Sequence, residues 1–178
     1  HGPFTYKSQL EWTKAFQYGH IPNDHLFIRR STTLEDLKRY KMLVYPHPAI
    51  MRDETAELLA RYAEQGGIVV LGCRTGYKNE HGHAYMRPFP GAAAELCGVT
   101  VEEFTRINGT RKPVRVKWND NASHFMAGEF NEVLSVERED VEVMALYDEE
   151  YYAGKPAVTR RKAGQGQVWY FGAVFNER

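Results

Sequence analysis

The chain has 178 residues, 43% of them hydrophobic, and its 23 basic and 23 acidic side chains cancel at neutral pH. Such a chain suits one domain over residues 1–178, able to bury roughly 70% of its unfolded surface without covalent staples. Balanced charge with no long block of one sign argues against a nucleic-acid partner, and no apolar run approaches the ~20 residues of a membrane span.

The opening HGPFTYKSQ lacks the apolar stretch of a signal peptide. Cys73 and Cys97 are too few for a disulfide framework or a four-ligand structural zinc site. Reduced thiols in a cytoplasmic setting are the expectation. YKSQLEWTKAFQY predicts a first helix on the spacing of Leu10, Thr13 and Phe16, with Gly19 as a left-handed stop. A capping box of Thr32 and Glu35 starts a short second helix that ends near Tyr40. KMLVYPHP then reads as a strand covered on both faces. Asp53 is the expected cap of ETAELLARYAEQ, whose Leu58, Leu59, Tyr62 and Ala63 form one apolar stripe, and Gly66-Gly67 ends it before the apolar run IVVLGC.

Strand, helix and strand in this rhythm indicate a crossover unit and an α/β sandwich with a mainly parallel sheet. From Val99 the pattern changes to VTVEEF, PVRVKW, VEVMALY, PAVTRR and QVWYFGAVF, a β-rich and partly antiparallel half. KAGQG joins two of these strands as a hairpin loop, with Gly164 and Gly166 available for positive φ.

VLGCRTG places Cys73 between glycines where a buried strand ends. The cysteine is either a nucleophile raised on a sharp turn or a small residue filling a corner; without a base, a thiol with a pKa of ~8.5 stays protonated at neutral pH. Asn79-Glu80-His81-Gly82-His83 holds metal-ligand types but lacks a nearby third ligand, and its glycine marks a loop. His47, between two prolines, reads as a strand-end residue. Glu102-Glu103 and Glu149-Glu150 are adjacent on strand-like segments, so each pair points to opposite faces and cannot flank a glycosidic bond. Arg160-Arg161-Lys162 reads as a solvated strand end, and Gly164-Gln165-Gly166 lacks the third glycine and the helix of a dinucleotide loop. No cofactor or metal is implied.

DLKRYKMLVYPHPAIM, RYAEQGGIVVLGCRTGYKNEHG, PGAAAELCGVTVEEF and YYAGKPAVTRRKAGQGQVWYFGAV, in this order, resemble the trimerisation domain of the glycoside hydrolase family 42 β-galactosidases, over about residues 26 to 175. The resemblance implies a flavodoxin-like or class I glutamine amidotransferase-like sandwich that follows a catalytic barrel in a longer polypeptide. It also implies self-assembly into a homotrimer, and the family's first strand is expected to be missing before Tyr6. In the amidotransferases the comparable turn reads Gly-X-Cys-X-Gly, with a histidine and a glutamate arriving near the C-terminus. Here Gly72 directly precedes Cys73, two residues separate it from Gly76, and Phe175-Asn176-Glu177 offers asparagine in place of a base. The implied role is non-catalytic, with hydrolysis of terminal β-galactosides left to the barrel.

Three Trp, eleven Tyr and nine Phe need places to pack. Tyr77, Tyr85, Phe89, Tyr151 and Tyr152 fall in loop-like segments, and aromatics with arginine mark interface centres. The loop GYKNEHGHAYMRPFPG is therefore expected against a neighbouring subunit or its barrel, with Tyr77, Tyr85, Arg87 and Phe89 as contact residues. Two other readings stay open: a hydrolase using Cys73 with His81 or His83, and a carbohydrate-binding module stacking sugars on Trp118 or Trp169.

Overall fold

Helix α1 (Pro3–Tyr18) opens the chain, and the first strand does not come until β1 (Met42–Tyr45), after the short α2 (Leu34–Lys38). The structure, a computed structural model, describes residues 3–107, 112–120, 122–136 and 138–176. α1 buries Ser8 and Glu11 and leaves Leu10 41% exposed, so its packed face is rotated from the one its apolar spacing predicts. The left-handed residue at its end is His20 (φ 53), not Gly19. A capping box does start α2, one residue later than expected. Thr33 accepts from the Asp36 N–H while the Asp36 carboxylate accepts from the Thr33 N–H.

β1 leads through α3 (Asp53–Glu64) to β2 (Ile68–Gly72), and the two strands pair in parallel. Arg52 is the N-cap residue of α3 and makes no side-chain cap bond. Asp53 is instead the first helical residue, where its charge still suits the positive end of the helix dipole. Leu58, Leu59, Tyr62 and Ala63 bury the predicted stripe against the sheet. Gly67 has no side chain because the Tyr62 ring occupies the space a Cβ would take. A 3-10 turn (Gly91–Ala93) and α4 (Ala94–Cys97) then lead into β3 (Val99–Arg106), β4 (Val114–Trp118), β5 (His124–Val136), β6 (Val141–Tyr147), β7 (Pro156–Ala163), β8 (Gly166–Phe171) and β9 (Ala173–Asn176).

The sheet is not mainly parallel. β1–β2 and β2–β8 are parallel, whereas β3–β5, β4–β5, β4–β6, β5–β9, β6–β7 and β7–β8 are antiparallel. A parallel pair needs a long crossover, and after Val99 no described helix is available to make one. The thirteen-residue β5 is the strand the sequence pattern misses. β8 and β9 are one strand interrupted at Gly172, and they exchange partners there: β8 lies between β2 and β7, whereas β9 pairs with β5. The pairings β8–β7, β7–β6, β6–β4, β4–β5 and β5–β9 thus close a ring of strands.

Two apolar cores result. One lies between α3, α4 and the face of β2 and β8 that carries Val69, Leu71, Val168 and Tyr170. The other fills the ring with Val116, Ala127, Val133, Ala145, Tyr147 and Val158.

Candidate functional site

The corner that follows β2 gathers the groups of greatest chemical interest. Cys73 is fully buried there, and its sulfur lies 3.4 Å from Nδ1 of His47. The imidazole is within reach of the thiol, but its protons are placed for another purpose. Nδ1 lies 2.8 Å from the Cys73 carbonyl, which can only accept, so Nδ1 carries the proton. Nε2 is then the acceptor for the Ser8 hydroxyl of α1, at 2.7 Å. A protonated Nδ1 cannot take a proton from the sulfur it faces. Burial and the nearby Glu132 carboxylate push the Cys73 thiol well above its usual value, while burial holds His47 below the usual imidazole value. The cavity between α1 and the strand ends, lined by Ser8, Trp12, His47 and Phe171 among others, measures about 10 Å³, too small for any substrate. The corner is a sealed joint, held by a serine on one element and a histidine on another.

Beneath it lies Glu132 on β5, which sequence reasoning missed and which is fully buried. One oxygen accepts from the Arg74 backbone N–H (2.8 Å) and the Tyr77 hydroxyl (2.9 Å), and the other from the Tyr170 hydroxyl (2.7 Å). Burial raises its pKa against the pull of these donors and of the Arg74 charge. No local signal marks this residue; a lone glutamate in a strand-like run reads as solvated.

Arg74 adopts φ 67, in the left-handed region. Its guanidinium lies 3.6 Å from the Tyr77 ring centroid, 4.8 Å from that of Phe130 and 5.2 Å from that of Phe104. Phe89 stacks on Tyr77, with centroids 3.9 Å apart. The four expected contact residues therefore divide. Tyr77 is 5% exposed and faces inward, contrary to the expectation that a loop aromatic lacks room within one subunit; the buried carboxylate supplies its partner. Tyr152 is buried as well. Phe89 is half-buried behind Tyr77. Tyr85 donates to the Met51 carbonyl at 2.8 Å, and Arg87 lies over its ring and pairs with Asp53. Met86 between them is fully exposed.

The remaining candidates are dispersed. Asn79 Oδ1 accepts the backbone N–H of both His81 and His83 (3.0 Å each), which organises an exposed turn, and among the described residues no three metal-ligating side chains converge. Glu102 pairs with Lys155, Glu103 accepts from Tyr151, and Glu149 pairs with Arg115. Glu149 and Glu150 lie in a bend rather than on a strand. Arg160 and Arg161 sit inside β7, not at its end; Arg160 pairs with Glu142, and Arg161 binds Asp140 and the carbonyls of Glu95 and Leu96. Trp118 packs on Phe125 and Phe171, and Trp169 on Phe171 with Arg160 above it, so both rings already carry partners. Of the segment 175–177, Phe175 and Asn176 contribute backbone to β9, and Glu177 lies outside the described residues.

Comparisons with known proteins agree with this architecture. Beta-galactosidase BglY of Alicyclobacillus acidocaldarius is 36% identical over 143 residues, covering 78% of this chain and 20% of that protein. Beta-galactosidase BgaA of Clostridium cellulovorans is 30% identical over 142 residues, 80% of this chain and 21% of that protein. The chain thus spans about a fifth of the length of these curated relatives. Among solved structures, a beta-galactosidase from Bacillus circulans sp. alkalophilus matches 79% of this chain and 21% of its own, at 27% identity and TM-score 0.73. A GH42 beta-galactosidase from G. stearothermophilus shares the fold over 99% of this chain and 24% of its own, at TM-score 0.84 and 24% identity. Residues 5–178 match the family described as the beta-galactosidase trimerisation domain, and the chain belongs to that family.

Proposed function

We propose that the chain is the self-association unit of a longer β-galactosidase, holding three copies together while a catalytic barrel elsewhere in the polypeptide cleaves terminal β-galactosides. The observation that carries this reading is the family match over residues 5–178. The chemistry of the β2 corner supports a role without catalysis. A cysteine hydrolase needs a thiol that a base can deprotonate and a substrate can reach, and Cys73 faces a proton-bearing nitrogen inside a closed joint. The β1–α3–β2 crossover, ending in a tight glycine-cysteine turn, supports kinship with flavodoxin-like and class I amidotransferase-like sandwiches. Two free, buried thiols suit a cytoplasmic location.

Within the loop that follows Cys73, the exposed Met86 and Arg87 and the half-buried Tyr85, anchored to the Met51 carbonyl, form the contact, and Phe89 and Tyr77 stack on each other within the same loop. Light scattering on the full-length polypeptide that carries this chain, comparing wild type with Tyr85→Ala and Phe89→Ala, tests the reading. A trimer that dissociates at higher concentration in the variants is expected. A trimer unchanged by both substitutions counts against the loop, and a monomeric wild type counts against the proposed function itself.

A further inference from the structure

Glu132 and Arg74 form an unusual pair. The buried carboxylate takes the backbone N–H of Arg74 and the hydroxyls of Tyr77 and Tyr170, so its bonds are filled without the Arg74 side chain. The guanidinium instead lies over the Tyr77 ring, with Phe130 and Phe104 also near it, and among the described residues it forms no ion pair with a carboxylate. Arg87, Arg115, Arg138, Arg160 and Arg161, by contrast, each meet an acidic side chain.

Three features turn this into a prepared anchor. Contact with three rings restricts the guanidinium, so ordering its planar fork for a two-oxygen acceptor costs little further entropy. Beside it Phe104 is 50% exposed and stacks on Phe130, which gives an apolar plate next to a partly exposed cation, the pairing found at interface centres. Finally, Arg74 holds a positive φ, a backbone strain of order 1 kcal/mol maintained by the bond from its N–H to Glu132, and such strain concentrates at functional positions. The residue follows the carboxyl end of β2 (Ile68–Gly72) by two positions.

We infer that Arg74 receives an acidic side chain from a second copy of this chain, with Phe104 packing at the rim of the contact. The inference rests on the self-association reading and names its charged anchor. A second copy is favoured over a free anion because the family match over residues 5–178 is to a trimerisation domain and the rings about the cation offer apolar area that a protein surface can cover.

Sedimentation velocity on the protein, with Arg74→Gln and Arg74→Lys and at low and high salt, tests the inference. Near-ultraviolet circular dichroism checks that each variant folds. Arg74→Gln should weaken association roughly tenfold or more and remove much of its salt dependence, with Arg74→Lys falling between, because lysine keeps the charge but loses the planar fork. If Arg74→Gln does not fold, Arg74→Lys and the salt dependence of the wild type carry the test. A wild type that assembles while the folded variants assemble within twofold of it overturns the inference and leaves the self-association reading standing. A wild type that stays monomeric overturns both. Stabilisation by citrate that is lost in Arg74→Gln with assembly unchanged shows a free-anion site and overturns the second-copy partner.

Discussion

His47 is strained, buried and neutral, and each property follows from the one bond pattern it makes. Its φ of 56 turns the chain sharply after β1, so that the ring reaches the Cys73 carbonyl on one side and the Ser8 hydroxyl on the other. Burial depresses its pKa, so the unfolded chain binds this proton more readily than the folded one. The stability it contributes is complete above the unfolded value of about 6.5 and is lost as pH falls through the lower folded value. Where the two differ, the slope is about 1.4 kcal/mol per pH unit. Glu132 acts in the opposite sense, because burial raises its pKa and protonation relieves the cost of its charge. The comparison must therefore be made between variants at one pH. His47→Asn keeps a donor for the Cys73 carbonyl and tolerates the left-handed backbone, but does not titrate. Its unfolding midpoint in urea should lie below wild type at pH 7.5 and approach it by pH 5.5; a gap that is constant with pH would show that His47 does not titrate on unfolding.

At the level of elements, the β7–β8 hairpin shows how backbone contact sets a residue's identity. Ala163 pairs with Gly166 across the two-residue turn Gly164-Gln165, and Gln165 donates to the Glu64 carbonyl at the end of α3. A Cβ on Gly166 would run into the carbonyl oxygens of Gly67 and Ala63, so helix end and hairpin are in backbone contact. Gly166→Ala should cost about 1–3 kcal/mol through this overpacking. Gly154, at φ 83 with open space around it, should cost about 1 kcal/mol on the same change, for the backbone alone. Equal losses in thermal unfolding would mean that hairpin and helix yield easily. The hairpin turn was legible in the sequence, as were α3, β1, β2, β7 and β8, because apolar stripes and glycine stops are local signals; but of the two glycines expected at positive φ only Gly164 (φ 58) takes it, and Gly166 is already the first residue of β8, in a two-residue turn rather than a longer loop. The capping box was legible in kind but slipped by one residue, since Thr32 and Thr33 precede Glu35 and Asp36 in the same spacing. β5 was hidden because Gly128, Glu129 (φ 66), Asn131 and Glu132 interrupt its alternation, and these are the residues of its bulge and of the buried network. Strand direction was hidden too, because burial on both faces produces the same apolar run in parallel and antiparallel strands. The candidate loop was legible as aromatic-rich, but the inward orientation of Tyr77 depends on a glutamate 55 positions away.

For the whole molecule, the question is whether the α/β half and the ring of strands stand or fall together. The β8–β9 strand passes from one to the other at Gly172, and a Cβ there would press on the carbonyls of Glu132 and Ala157, so the crossing is tightly packed. Glu132 ties the two halves further. Its carboxylate holds Tyr77 from the β2 loop and Tyr170 from the first core, while its carbonyl accepts the hydroxyl of Tyr147 from the second, at 2.9 Å. Opening one half would strand a buried carboxylate, which costs several kcal/mol, more than either core could regain by staying folded alone. Substitution in either core should therefore lower one shared transition. Leu59→Ala, in the first, should cost about 2–5 kcal/mol, and Val116→Ala, in the second, somewhat less because fewer methyl groups are lost. At roughly 2–4 °C per kcal/mol for a chain of this size, both shifts are measurable. Far-ultraviolet circular dichroism reports the whole chain, whereas the fluorescence of Trp12, Trp118 and Trp169, all of which pack on Phe171, reports the surroundings of β8 where it meets α1 and the ring. The two signals should fall together in wild type and in both variants, and a fluorescence midpoint that moves in Val116→Ala while the helical signal stays would show that the ring unfolds on its own.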